Sequence, residues 1–249
     1  MAFEWSTVGT VLVKGVRLGY RECGDPAGVP AVLLHGTGSS SSTWNRLAPR
    51  LADAGHRVIA FDLRGHAGSV KTPDYLLASL RDDLLGLLHR FDLRDAVLIG
   101  HSVGAYAALA AAQHSPHLIS RLVLEDLAAP PRHLPPFHGG LLRLVAAAGA
   151  VVTARPGHAL AVMGSIVLQL VRPDPAWWSR LSGVRQPALV FSGGPTSCIP
   201  PRRLAEMTAA LPDARLATIP VGHRVHSLAP EAFQAEVMAF LNATEPARA

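Results

Sequence analysis

The chain has 249 residues, of which 49% are hydrophobic and 16% charged. That balance excludes an intrinsically disordered protein, which is poor in apolar residues and rich in charge. The formal net charge is +5, but 21 of the 23 basic residues are arginines scattered along the chain, and only Arg202 and Arg203 are adjacent. With no basic stripe and no recognisable binding module, nucleic acid is not an expected partner.

A mean hydropathy of +0.25 raises the question of a membrane span. The longest uncharged apolar stretch, Ala159 to Val171, is shorter than the roughly 20 residues a spanning helix needs, so no stable membrane insertion is expected. The opening residues, Met1 to Trp5, lack the positive-then-apolar pattern of a signal peptide. Cys23 and Cys198 allow one disulfide at most and no metal cluster. The expectation is a soluble, cytoplasmic protein whose oligomeric state the sequence leaves open.

In chain order, Val11-Leu12-Val13 and Val16 to Tyr20 read as two strands around a tight turn at Lys14-Gly15. A continuous apolar run, Ala31 to Leu34, then stops at His35-Gly36, the signature of a buried parallel strand. The pattern recurs at Arg57 to Phe61, Ala96 to Ile99, Leu122 to Leu124, Ala188 to Phe191 and Ala214 to Ile219. Helix-length segments, including Leu76 to Arg90, Ser102 to His114 and Glu231 to Leu241, lie between most of them. Strands alternating with helices imply right-handed crossovers and a mostly parallel α/β sheet of eight strands flanked by helices. From Pro130 to Gln186 no strand is predicted. Two apolar helical segments there, Leu141 to Ala154 and Ala159 to Val171, read as a short helical lid at the carboxyl edge of the sheet. The predicted organisation is a core of residues 1–129 and 187–249 with a lid insertion at 130–186.

The chemistry is concentrated at Gly100-His101-Ser102-Val103-Gly104, a G-x-S-x-G pattern that follows a predicted strand and opens an Ala-rich helix. The bare pattern is common, but the strand–turn–helix setting is what a nucleophile elbow requires. The serine sits on a strained turn, and small residues must flank it where helix and strand approach closely. Phosphate-binding glycine motifs are absent, and no His and carboxylate set has metal-ligand spacing, so no cofactor or metal is expected.

With His35-Gly36-Thr37-Gly38, Asp62 to Ser69, the elbow at Ser102 and Gly222-His223 in that order, the chain resembles the α/β-hydrolase fold superfamily over nearly its whole length. The resemblance implies a serine hydrolase: Ser102 as nucleophile and His223, which directly follows the glycine, as the base that takes its proton. His226, three residues on, is the local competitor. A serine rather than an aspartate at the elbow argues against haloalkane dehalogenase and epoxide hydrolase chemistry.

The acid departs from the commonest pattern of the family, because Ser192 to Pro200, after the next-to-last strand, holds no carboxylate. Glu206 beyond it falls in a predicted helix. Some members place the acid one strand earlier, where this chain offers Glu125-Asp126. Successive side chains on a strand point to opposite faces, so one of the two is expected to reach the histidine. Asp126, where strand gives way to loop, is the first choice; Glu125 and the absence of a working acid are the alternatives. The resemblance places the oxyanion-hole N–H donors at Thr37 and Val103, each of the kind worth roughly 10²–10³ in rate. His35 is expected to fix its loop, Arg64 and Asp62 to pair locally, and Cys198 to be a buried bystander.

The implied reaction is cleavage of an ester, thioester or lactone. The partner is a small-molecule substrate with an apolar portion, as the lid composition and Trp177-Trp178 suggest. Acyl transfer, C–C bond hydrolysis or cofactor-free perhydrolysis would use the same residues, because fold does not fix function. A ligand-binding protein on a hydrolase scaffold is the reading from a different class.

Overall fold

In the computed structural model of the chain, residues 3–133 and 158–243 are described. Eight strands form one sheet in the order β1-β2-β4-β3-β5-β6-β7-β8. They are β1 (Thr7–Val13), β2 (Val16–Cys23), β3 (Val29–Leu34), β4 (His56–Phe61), β5 (Ala96–His101), β6 (Ile119–Glu125), β7 (Ala188–Ser192) and β8 (Ala214–Thr218). From β3 to β8 every pairing is parallel, and β2 alone runs against the rest, paired antiparallel with both β1 and β4. The eight predicted strands are all present, most of them longer at one end than the apolar run alone.

The central strands β3 to β7 are buried on both faces, as their uninterrupted apolar runs require, while β1 and β8 at the edges stay largely exposed. Side chains alternate along β5: Ala96 and Leu98 join one core, Val97 and Ile99 the other. β3 divides in the same way, with Val32 and Leu34 on one face and Ala31 and Leu33 on the other. The first face is covered by α2 (Leu77–Arg90) and α3 (Val103–His114), and the second by α1 (Ala48–Asp53). Later in the chain, α6 (Pro201–Ala210) adds Leu204 and Met207 to the first core, and α8 (Pro230–Asn242) adds Phe233 and Val237 to the second. Fully burying each such side chain stabilises the fold by about 1.5–3 kcal/mol.

The alanines of α3 are explained by closeness. A Cβ on Gly104 would lie 2.4 Å from the Leu34 carbonyl oxygen, and one on Gly100 would lie 2.5 Å from the Ala105 nitrogen. Helix and sheet backbones are nearly in contact there, and only small residues fit.

Between β6 and β7 lie α4 (His158–Leu170) and α5 (Pro175–Ser179). The predicted helix at 141–154 lies outside the described residues. Val162, Ile166 and Leu170 of α4 join the first core, and the Gln169 amide oxygen accepts the Leu77 N–H at 2.9 Å. Trp177 and Trp178, expected to flank an apolar substrate, are instead 1% and 5% exposed. Trp177 stacks on Tyr106 at 6.0 Å, and Trp178 Nε1 donates to the Pro130 carbonyl at 2.9 Å. Both rings belong to the first core, packed with the side chains that cover that face of the sheet. Among the described residues no helix is long and apolar enough to cross a membrane. Both cysteines are free.

Candidate active site

β3 is flanked by β4 on one side and β5 on the other, so chain connections diverge at the carboxyl ends of β3 and β5. In open parallel sheets that divergence leaves a crevice, the usual place for a ligand. Ser102 stands at one lip of it and the His35–Gly38 loop at the other.

Ser102 has φ +54° and ψ −116°, a left-handed conformation that costs a residue with a side chain about 1–3 kcal/mol. Surrounding bonds hold it there. Its N–H donates to the Glu125 carbonyl at 2.8 Å, and its carbonyl accepts from Tyr106 N–H at 3.1 Å and from Ala128 N–H at 3.4 Å. Val103 supplies the first N–H of α3, which has no acceptor within the helix.

The opposite loop is fastened by three side chains, His35, His66 and Asp62. His35 is fully buried. Its Nδ1–H donates to the Gly36 carbonyl at 2.7 Å and its Nε2 accepts from Leu63 N–H at 3.0 Å. Burial and the neighbouring His66 pull its pKa down to about 3, so it stays neutral. His66 Nε2 accepts from Gly38 N–H at 3.1 Å, and Asp62 Oδ1 accepts from Ser41 N–H at 2.7 Å. Thr37 lies between these fixed points. His35 therefore has the loop-fixing place expected of it.

Asp62 and Arg64 do not pair, contrary to expectation. The second Asp62 oxygen accepts from Gly68 N–H at 3.0 Å, while Arg64 turns the other way. Its guanidinium makes a two-pronged bond to Asp83, 2.7 Å on each side, and a further one to Asp74 at 2.9 Å. The fork geometry of arginine suits a bidentate carboxylate on α2 better than an aspartate already saturated by backbone donors.

Asp126 follows β6 and also has a positive φ, +46°. It is completely buried, and its N–H donates to the Phe191 carbonyl at 2.9 Å. One carboxylate oxygen accepts from Gly193 N–H at 3.0 Å. The other accepts from the Ser197 hydroxyl and from His223 Nδ1–H at 2.7 Å. The loop after β7 lacks an acid of its own, yet it supplies the donors that hold an acid from the neighbouring strand. Ser197 and Gly193 escaped sequence reasoning, because a serine and a glycine in a turn carry no separate signal.

Glu125, equally buried, takes a different partner. Its carboxylate accepts from His226 Nδ1–H at 2.9 and 2.7 Å, and from His226 backbone N–H at 2.9 Å. Glu206 stays on the surface of α6, bonded to Arg202 at 2.8 Å.

His101 joins the two halves. It sits between the rings of His223, 4.7 Å away, and His226, 5.0 Å away, and its Nε2–H donates to the His223 carbonyl at 2.8 Å. Burial and the two flanking histidines hold its pKa well below the usual imidazole range. For His223, burial alone would lower the pKa. The Asp126 carboxylate, first through its hydrogen bond, and the Cys198 sulfur beside the ring outweigh it and raise the pKa to about 10. Cys198, expected to be buried, is half-buried and lies beside the ring. Among the described residues no cluster of histidine, cysteine and carboxylates has the makings of a metal site.

A family profile described as the alpha/beta hydrolase fold matches residues 30–155, and the chain belongs to that family. It is 29% identical over 268 residues to the sn-1-specific diacylglycerol lipase ABHD11 of Mus musculus, covering 92% of this chain and 86% of that protein. Epoxide hydrolase A of Mycobacterium tuberculosis is 35% identical over 127 residues, 49% of this chain and 39% of that one. Among solved structures, the enol-lactonase of Burkholderia xenovorans is similar with a TM-score of 0.76 and 25% identity, covering 94% of this chain and 99% of the lactonase. A hydrolase, with lipase and lactonase relatives, is the class these likenesses define.

Proposed function

We propose that the protein is a cofactor-independent serine hydrolase acting on a carboxylic ester or lactone with an apolar portion. Ser102 Oγ attacks the carbonyl carbon while His223 Nε2 takes the hydroxyl proton. Asp126 holds the ring with Nδ1–H toward itself, which leaves Nε2 free as the base and stabilises the imidazolium that forms. The backbone N–H groups of Thr37 and Val103 receive the charge that develops on the carbonyl oxygen. Collapse of the tetrahedral intermediate breaks the bond to the leaving oxygen, which takes the proton from Nε2. Water, deprotonated by the same nitrogen, then attacks the acyl-enzyme and releases the acid and Ser102.

One observation carries this reading: the 2.7 Å bond between His223 Nδ1 and a buried Asp126 that two further donors hold in place. It supplies the acid whose absence after β7 would have favoured a binding scaffold. The lipase and lactonase relatives favour an ester or lactone over other acyl bonds. A serine nucleophile gives an acyl-enzyme at a carbonyl carbon, which sets this chain apart from the epoxide hydrolase it partly matches. The domain organisation that goes with this reading is a core of residues 1–129 and 187–249 with an insertion at 130–186, whose described part packs on that core through Val162, Ile166 and Leu170.

Intact-mass analysis after treatment with a fluorophosphonate probe tests it. One adduct on the wild type, absent in Ser102→Ala and strongly slowed in Asp126→Asn, is the expected result. A wild type that takes no adduct overturns it.

A further inference from the structure

The pair Glu125–His226 is built like the pair Asp126–His223 but lies too deep to be a second catalytic centre. His226 is 5% exposed and Glu125 is fully buried. The far ring nitrogen, Nε2, lies 2.7 Å from the Thr43 hydroxyl. In the neutral ring it accepts from that hydroxyl, because Nδ1 carries the proton given to Glu125. The ring is packed between Trp44 at 4.6 Å and His101 at 5.0 Å. Burying a carboxylate in this way is expensive unless every lone pair has a donor, which raises the question of what the arrangement does.

Its position answers that. His226 is the second residue of α7 (Val225–Leu228), whose N-cap residue, Arg224, makes no side-chain cap bond. Glu125 accepts the His226 backbone N–H, so a carboxylate from β6 takes the place of the missing cap. The segment bearing His223 is thereby held at three places. Gly222 N–H donates to the Gly193 carbonyl at 2.9 Å, His101 donates to the carbonyl of His223 itself, and Glu125 holds the next turn. Thr43 belongs to the short 3-10 helix Ser41–Trp44, directly after the loop that carries Thr37. The chain of bonds therefore runs from β6, through the histidine-bearing segment, to the segment opposite.

We propose that Glu125, His226 and Thr43 are positioning residues, a buried clamp that holds His223 in register with Ser102 and ties its loop to the one bearing Thr37. The proposal rests on the hydrolase reading above. The clamp touches no reacting atom; it acts by denying the His223 loop freedom to move, and misplacement by about 1 Å costs on the order of 10²-fold in rate.

The experiment measures p-nitrophenyl butyrate hydrolysis by the wild type, Glu125→Ala, Glu125→Gln and Thr43→Val, each checked for folding by circular dichroism. Glu125→Ala lowers kcat about 10²-fold while KM stays within about twofold, since positioning rather than binding is lost. Glu125→Gln restores most of kcat: its amide oxygen still accepts the His226 N–H, and the ring changes tautomer so that Nε2–H donates to Thr43. A folded Glu125→Ala with wild-type kcat, or a Glu125→Gln no better than Glu125→Ala, overturns the clamp. Should Glu125→Ala fail to fold, Thr43→Val decides. A loss of about 3–10-fold in kcat supports the clamp, in the range expected for one uncharged hydrogen bond, and an unchanged kcat overturns it. A wild type that neither hydrolyses the ester nor takes a fluorophosphonate adduct overturns the hydrolase reading and the clamp with it. An active wild type with unaffected variants overturns the clamp alone.

Discussion

Glu125 and Asp126 are neighbours in the chain, yet their carboxylates hold different histidines, His226 and His223, each at 2.7 Å. The end of β6 divides them: Glu125 is the last strand residue, and Asp126 turns away with φ +46°. Two adjacent acids thus serve two histidines three residues apart.

Asp126→Asn separates the two carboxylates by function. With an amide in place of the carboxylate, the ring is no longer held in the required tautomer. The expected fall in kcat is about 10⁴-fold, the size seen when a serine protease loses the same group. The pH profile moves as well. The wild-type rate rises through the alkaline range as His223, raised to about 10, gives up its proton. Removing the anion destabilises the imidazolium, so the residual activity of the variant begins its rise at lower pH. Initial rates between pH 6 and 10 check both.

Three histidines tie stability to pH, His223 with one sign and His35 and His101, both lowered, with the other. His223 is raised from 6.5 to about 10, so its contribution is complete below pH 6.5 and lost as pH climbs through about 10. His35 is lowered from 6.5 to about 3. Its contribution is complete above pH 6.5 and drains as pH falls toward 3, because the unfolded chain takes the proton first. Urea unfolding at pH 7, 5.5 and 4.5 should show stability falling on the acid side. In His35→Gln the protein is weaker at pH 7, and the slope between pH 6.5 and 4.5 is flatter.

Arg64→Ala strands Asp83, which is 7% exposed and whose burial raises its pKa against the pull of Arg64. Removing one partner of a buried ion pair costs about 3–5 kcal/mol. Thermal or denaturant unfolding measures the loss, and a change below about 1 kcal/mol, the size of a surface pair, would contradict the assignment.

Gly104→Ala tests the close approach at the elbow. The added Cβ would stand 2.4 Å from the Leu34 carbonyl oxygen, so α3 must move away from β3 and carry the Val103 N–H with it. The expected result is a drop of about 10²-fold in kcat with a folded circular dichroism spectrum. Ester hydrolysis at saturating substrate reads it directly.

Most of the fold was legible because its signals are local. Apolar runs of strand length, the helices between them and the glycines around Ser102 all follow from the backbone's own periods and from the space a side chain needs. The same holds for His35 and for Ser102 itself. What neighbours in sequence do not encode is which distant groups meet. Asp126 and His223 are 97 residues apart, and Glu125 and His226 are 101 apart. Arg64 could not be assigned to Asp83 over Asp62 from spacing alone, nor could the burial of Trp177 and Trp178 be read from their composition. The layered sheet, the strained serine and a short list of acids and bases follow from the order of residues. The pairings do not, because a hydrogen bond depends on where two segments converge in space, and the sheet sets that convergence by bringing the ends of β6, β7 and β8 side by side.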